Sequence, residues 1–154
     1  MDESQSPAPD SLQRQSALIC SSYKHWTGRQ LMQDEKDDIA NRLFEADFAV
    51  LSHDTRPEPV FNYVNRAAMQ LFGMSWDEIT RLPSRYSAEP ILQAERAGFL
   101  ERVAAHGFVD DYSGVRIAKD GSKFMIESAT VWNLVDGDGS FCGQAALISQ
   151  WRRL

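Results

Sequence analysis

Leu12, Ile19, Tyr23 and Trp26 follow one another in steps of seven, four and three. That spacing returns to one side of a 3.6-residue turn, so it predicts an amphipathic helix ending near Thr27-Gly28. Ile39, Leu43 and Ala46 stand in i, i+4 and i+7 relation and predict a second helix, with the acidic stretch 34–38 near its positive end. The period then shortens. Residues 48–52 and 60–64 are brief apolar runs bounded by His53-Asp54 and by Pro57-Glu58-Pro59, a pattern that predicts a hairpin.

Residues 61–82 read FNYVNRAAMQLFGMSWDEITRL. A strand-like start, 61–64, meets Asn65, whose side chain can cap a short apolar helix running to Phe72. Gly73 can end that helix in a left-handed turn. Ser75 and Glu78 fit a capping box, in which each side chain satisfies the other's backbone amide. Pro83 stops this second short helix, and the polar connector 84–89, SRYSAE, follows.

Pro90 opens the longest helix of the core, predicted to reach about His106 with Leu92, Phe99, Leu100 and Val103 facing inward and Gly107 as its terminator. Residues 112–118, 124–135 and 141–150 read as strands separated by turns at Asp120-Gly121 and 136–139; Asp-Gly between β-rich runs signals hairpins. The predicted class is α+β, one five-stranded antiparallel sheet with a helical block on one face and the leading helices available for the other. The chain divides into a polar leader (1–11), N-terminal helices (12–46) and a core (47–154).

Sixteen Lys and Arg against 22 Asp and Glu give a net charge of −6. A negative surface repels phosphate backbones, so direct nucleic-acid binding is not expected. The basic groupings are Lys24-His25 with Arg29, and Arg152-Arg153, read as a solvated end. Cys20 and Cys142 stand in no metal or redox spacing and read as one thiol in a helix and one in a strand. No apolar run approaches a membrane span, and the acidic start lacks a signal-peptide core, so a cytoplasmic location is expected.

Enzyme signatures are missing from the sequence. Residues 137–143 miss the GxGxxG spacing and lie between strands. Asp136 and Asp138 begin like a calcium loop, but Leu147 stands where its bidentate Glu belongs. Asp110 and Asp111 are strand neighbours and point to opposite faces unless the strand kinks. His25, His53 and His106 are scattered and make no metal site.

Order and the Tyr63-x-Asn65-x-Ala67 core resemble PAS domains. Seven segments, HWTGR (25–29), LFEADFAVLSHDT (43–55), FNYVNRAAMQLF (61–72), LPSRYSAEP (82–90), GFVDDYSGVRI (107–117), ATVWNL (129–134) and CGQAA (142–146), are similar in order to the MEKHLA family. The likeness spans roughly residues 18–151. It implies a PAS-like fold in a non-enzymatic sensory or regulatory module that binds a small ligand or a partner. The family occurs as stand-alone bacterial proteins and as the C-terminal part of plant homeodomain–leucine zipper regulators, and this chain resembles the stand-alone type.

Placed on a PAS-like fold, Arg81, Arg85, Tyr86, Ser87 and Glu89 of the connector, Trp132 and Asn133 of the central strand and Gln144 of the last strand are candidate ligand-binding residues. Alternation along 124–134 would put Trp132 against the helical block as a cavity wall, and arginines beside it would suit a carboxylate or phosphate. The alternative is that Arg85 and Glu89 form an i, i+4 ion pair and Trp132 is core. The face carrying Leu12, Ile19, Tyr23 and Trp26 is a candidate homodimer surface, although packing on its own sheet would explain it equally. Flavin-thiol photochemistry is not expected, because 82–89 holds no cysteine, and His106 reads as a helix-end cap rather than a haem ligand. The competing function is a small cone-fold enzyme of ketosteroid-isomerase type, with Asp111, Glu127 or His53 as its acid or base. Helices inserted between the second and third strands favour the PAS-like order. A ligand-free dimerisation module is the third reading.

Overall fold

The junction at Asn65 organises the molecule, a computed structural model that describes residues 9–32, 38–88 and 90–154. Asn65 is fully buried. Its Oδ1 accepts from the Ala68 amide at 3.1 Å, capping helix α3 (Arg66–Phe72), and from the Val50 amide at 3.0 Å on strand β1 (Ala49–His53). Its Nδ2 donates to the carbonyls of Phe48 (2.8 Å) and Leu43 (3.1 Å), the latter on helix α2 (Ile39–Phe44). One amide thus ties strand β2 (Phe61–Val64), β1, α2 and α3 together. Gly73 ends α3 at φ 68°, and the Ser75–Glu78 capping box opens helix α4 (Trp76–Ile79), both as the sequence predicts.

A 3-10 turn (Ser84–Ser87) leads to helix α5 (Pro90–His106), which stops at Gly107 with φ 98°. Phe99 and Val103 of α5 are buried as predicted, whereas the Leu92 side chain and residues 34–37 of the acidic stretch lie outside the described residues. Strands β3 (Phe108–Ile117), β4 (Lys123–Val135), β5 (Phe141–Ile148) and β6 (Gln150–Arg153) complete an antiparallel sheet ordered β2-β1-β5-β4-β3. β6 continues β5 along β4. The five-strand expectation therefore gains a sixth. The Arg152-Arg153 end is exposed, as expected, but forms strand: Arg153 pairs with Phe124 and lies 5.7 Å over its ring. The helices α3, α4 and α5 all fall between β2 and β3, the PAS-like order rather than the cone-fold one.

A kink crosses three strands and reverses which side chains face in. Asp111 on β3 and Ser128 on β4 adopt φ of 60° and 52°, and Ser149 separates β5 from β6. Before the kink in β4, Phe124 and Ile126 pack on α3 and α4; after it, Ala129 takes that face and Trp132 turns to the opposite side. The expectation that Trp132 faces the helical block is corrected accordingly. A left-handed residue breaks the period-2 alternation that a regular strand would keep.

Trp132, fully buried, meets Tyr23 of helix α1 (Pro9–Thr27) edge to face at 5.0 Å. α1 lies across the outer face of the sheet, beginning at Pro9 inside the stretch read as leader; residues 1–8 lie outside the described residues. Its Trp26 Nε1 donates to the Asn133 carbonyl at 2.9 Å, and Ser22 both donates to and accepts from the Val135 backbone. Arg29, just past the helix, pairs with Asp110 at 2.9 Å. Ile19 is 0 % exposed and Tyr23 6 %, while Leu12 and Trp26 pack partly buried on the same cluster. The face read as a homodimer surface is thus spent on the chain's own sheet.

Candidate functional site

α5 stands off the inner face of the sheet and leaves a cavity of about 60 Å³ beneath it. Leu51, Phe61, Ile126 and Ile148 supply an apolar floor, and Phe99 of α5 the roof. The polar lining is Ser52, His53, Ser87, Arg96, Tyr112, Arg116 and Gln144, with no aspartate or glutamate among the lining residues. An outer groove between α5 and the β1–β2 turn shares His53, Arg96, Leu100 and Gln144 with this cavity, so those four residues form the partition between interior and surface.

Gln144, Tyr112 and Arg116 each have a structural reason to be there. Asn133 and Gln144 pair across β4 and β5. Gln144 Nε2 donates to the Leu100 carbonyl at 2.9 Å and to Asn133 Oδ1 at 3.2 Å, and Asn133 Nδ2 donates to the Ala104 carbonyl at 3.1 Å. Ala104 is in the last turn, where carbonyls lack an intrahelical partner, so this amide pair anchors the end of α5 to the sheet. On β3, Tyr112 stacks on Phe99 with centroids 4.0 Å apart, and its hydroxyl accepts from Arg116 Nη2 at 3.0 Å. Gly114 lies between them, and a Cβ there would come 2.5 Å from the tyrosine hydroxyl. The glycine lets Tyr112 fold along the strand and hold Arg116.

Arg96 is the anomaly. Its Nε is buried without a partner, and among the described residues it makes no hydrogen bond or ion pair. Burial, helped by repulsion from Arg116, pushes its guanidinium down to about 9, so it is charged at neutral pH. Burial likewise lowers the His53 imidazole, with Arg96 pushing the same way and the Asp54 backbone opposing. His53 Nδ1 lies 3.1 Å from the Asp54 carbonyl and therefore carries the proton in the neutral ring, leaving Nε2 as a buried, unpartnered acceptor.

Arg96 is half-buried, with its Nε cut off from solvent, and a cation desolvated without a partner costs stability. The sign follows from the guanidinium lying below its ordinary value: the cost is fully present below about pH 9 and is relieved as pH rises through that value. Arg96→Met is accordingly expected to raise the melting temperature of the ligand-free protein by a few degrees at pH 7. The wild type, facing Arg116, Tyr112 and His53, should regain stability relative to the variant above pH 9. A lower melting temperature for the variant at pH 7 would show that Arg96 stabilises the fold instead.

Of the residues singled out in the sequence, Ser87 and Gln144 line the cavity, and Asn133 sits behind Gln144. Arg85 borders the outer groove, paired with Glu58 at 3.0 Å and donating to the exposed Tyr86 hydroxyl. Arg81 is exposed and lines neither space, and Glu89 lies outside the described residues. Trp132 is on the opposite face. Of the acid–base candidates, His53 lines the cavity, Asp111 is exposed, and Glu127 sits 3.6 Å from Arg152 away from it. His106 is exposed in the last turn of α5. Sequence reasoning missed Arg96 and Arg116. Arg96 carried a signal: it precedes Phe99 by three and Val103 by seven, an arginine on the apolar stripe of α5.

Neither Cys20 nor Cys142 lines the cavity, so it presents no thiol to a guest. Both thiols belong to the α1 side of the sheet.

A family model described as MEKHLA domain matches residues 13–153. No curated protein matches the chain. Among solved structures, the chain is similar to the PAS domain of a protein from Colwellia psychrerythraea (TM-score 0.62, 16% identity, 75% of this chain and 92% of that one). A light-oxygen-voltage domain studied with a flavin analogue gives 0.55 at 18% identity, covering 78% and 87%. The light-state dimer of the fungal blue-light photoreceptor Vivid gives 0.59 at 13%, covering 84% and 90%. At these identities the likeness is one of fold.

Proposed function

The chain belongs to the MEKHLA domain family, and from that premise we propose that it is a regulatory module that senses a small ligand in the cavity beneath α5, by binding rather than by reaction. The observation that carries this reading is the pair of buried, unpartnered polar atoms, Arg96 Nε and His53 Nε2, in residues lining that cavity. Buried polar groups are almost always satisfied, so two in one cavity point to a guest that satisfies them. The signal would leave through α5. The helix is held to the sheet by Gln144, which is both cavity wall and anchor, so a guest that competes for Gln144 bears directly on the helix. Regulation through a homodimer would need a surface other than the α1 face.

Native mass spectrometry of freshly purified protein should show a small-mass adduct, and Ala129→Leu, which fills the cavity from β4, should remove it. Bare mass for the wild type, with cavity amides unmoved by a fragment library in NMR spectra, would defeat the reading. No helix among the described residues is long and apolar enough to cross a membrane.

A further inference from the structure

Resting on the reading of the cavity as a sensing site, we infer that its ligand is a short-chain carboxylate, held at its charged end by Arg96 and Arg116 and at its alkyl end by the apolar floor. The charge argument comes first. Two guanidinium groups border the cavity and no carboxylate lines it. Arg116 spends Nη1 on the Val115 carbonyl at 2.8 Å and Nη2 on Tyr112; Arg96 spends nothing within the described residues. A guanidinium has five N–H donors in a planar fork matched to a carboxylate, and His53 Nε2, an acceptor in the neutral ring, joins only when the imidazole takes up a proton beside the bound anion. Uncompensated positive charge therefore borders the cavity, beside an apolar floor.

The outer groove is balanced: Asp54, Glu58 and Glu101 line it with Arg56, Arg85 and Arg96, and Arg56 and Arg85 are paired with Asp54 and Glu58. The unspent donors are therefore those of Arg96, which borders both spaces and can meet a ligand arriving from the groove. Size sets the class. A water needs about 10–15 Å³ of such space, so the cavity of about 60 Å³ holds on the order of five water-sized atoms. That suits carboxylates of roughly two to four carbons by the same measure. Phe61, Phe72, Ile126 and Ile148 would cover the alkyl chain, an environment that penalises inorganic phosphate, whose charge has no apolar end to bury.

The experiment titrates acetate, propionate, butyrate, inorganic phosphate and the neutral isostere propionamide into the full chain, followed by amide NMR shifts and melting temperature. The expected result is saturable binding of the carboxylates, with shifts at Ser87, Phe99 and Gln144, and weaker or no binding of propionamide and phosphate. Arg96→Met should weaken propionate binding by roughly ten- to a hundredfold while leaving a folded spectrum. If that variant does not fold, Arg96→Lys, which keeps charge but loses the fork, should still weaken binding. Equal binding of propionamide and propionate, or propionate binding that is unchanged by the folded Arg96 variant, would overturn the carboxylate assignment yet leave a ligand-binding cavity. Silence of the cavity amides toward every probe, including xenon under pressure, would overturn both.

Discussion

Asn65→Ala is expected to cost the fold about 3–5 kcal/mol, among the largest effects a single substitution can produce here. Asn65 uses both lone pairs of its oxygen and both protons of its amide: toward Val50 and Ala68 on one side, Leu43 and Phe48 on the other. Removing it withdraws one partner from each of four backbone groups in a region where Val50 and Ala68 are fully buried. Each net hydrogen bond is worth about 0.5–1.5 kcal/mol, and each buried group left unsatisfied costs more. Asn65→Asp should be no gentler, because the carboxylate keeps the acceptor and loses both donors to Leu43 and Phe48 while placing a charge in the core. Urea denaturation of the two variants is the test. A loss below about 1 kcal/mol in either would mean that α2, β1 and α3 are held by packing rather than by this amide.

Asn65 also shows why so much of the fold was legible. Its cap, Gly73 and the Ser75–Glu78 box are local grammar, readable within four residues and indifferent to what packs above them. The same holds for Pro90 and Gly107 at the ends of α5. What escaped was a long-range event in ordinary residues. The kink at Asp111, Ser128 and Ser149 uses no glycine, so nothing in the sequence marks its two left-handed positions, Asp111 and Ser128. Period-2 reasoning runs through it and puts Trp132 on the wrong face.

The error reached the site. A PAS-like placement of the connector points to Arg81 and Arg85, and the regular alternation that makes Trp132 a cavity wall leaves Arg96 unnoticed. The helix stripe Arg96, Phe99, Val103 would have led to the cavity without any knowledge of the sheet, since an arginine in an apolar row must be explained. Arg116 was beyond reach from sequence, because its inward direction depends on the kink that precedes it. Ser87 and Gln144 are legible because the fold resemblance locates the connector and the last strand whichever way the central strand turns.

Gly143→Ala is the second large effect, and it ties stability to the site. Gly143 is buried on β5 with φ of 128°, a conformation that L side chains rarely adopt, and a Cβ there would fall on the carbonyl oxygen of His53. Backbone cannot swing aside as a side-chain end can, so the variant must either rotate its own φ or push β1 from β5. Strain of about 1–3 kcal/mol and overpacking of about 1–3 kcal/mol together predict a loss near 3 kcal/mol or more. The displacement is directed at the partition, because His53 pairs in register with Gln144, the next residue. Prising them apart should loosen the Gln144 anchor on the Leu100 carbonyl, so α5 should lose hydrogen-exchange protection before the α1 side of the sheet does. Gly137→Ala is the control: with an ordinary φ and nothing within 4 Å of its would-be Cβ, it should be close to neutral. If Gly143→Ala matched this control in denaturation midpoint and α5 protection, the β1–β5 contact would not be what holds the cavity wall in place.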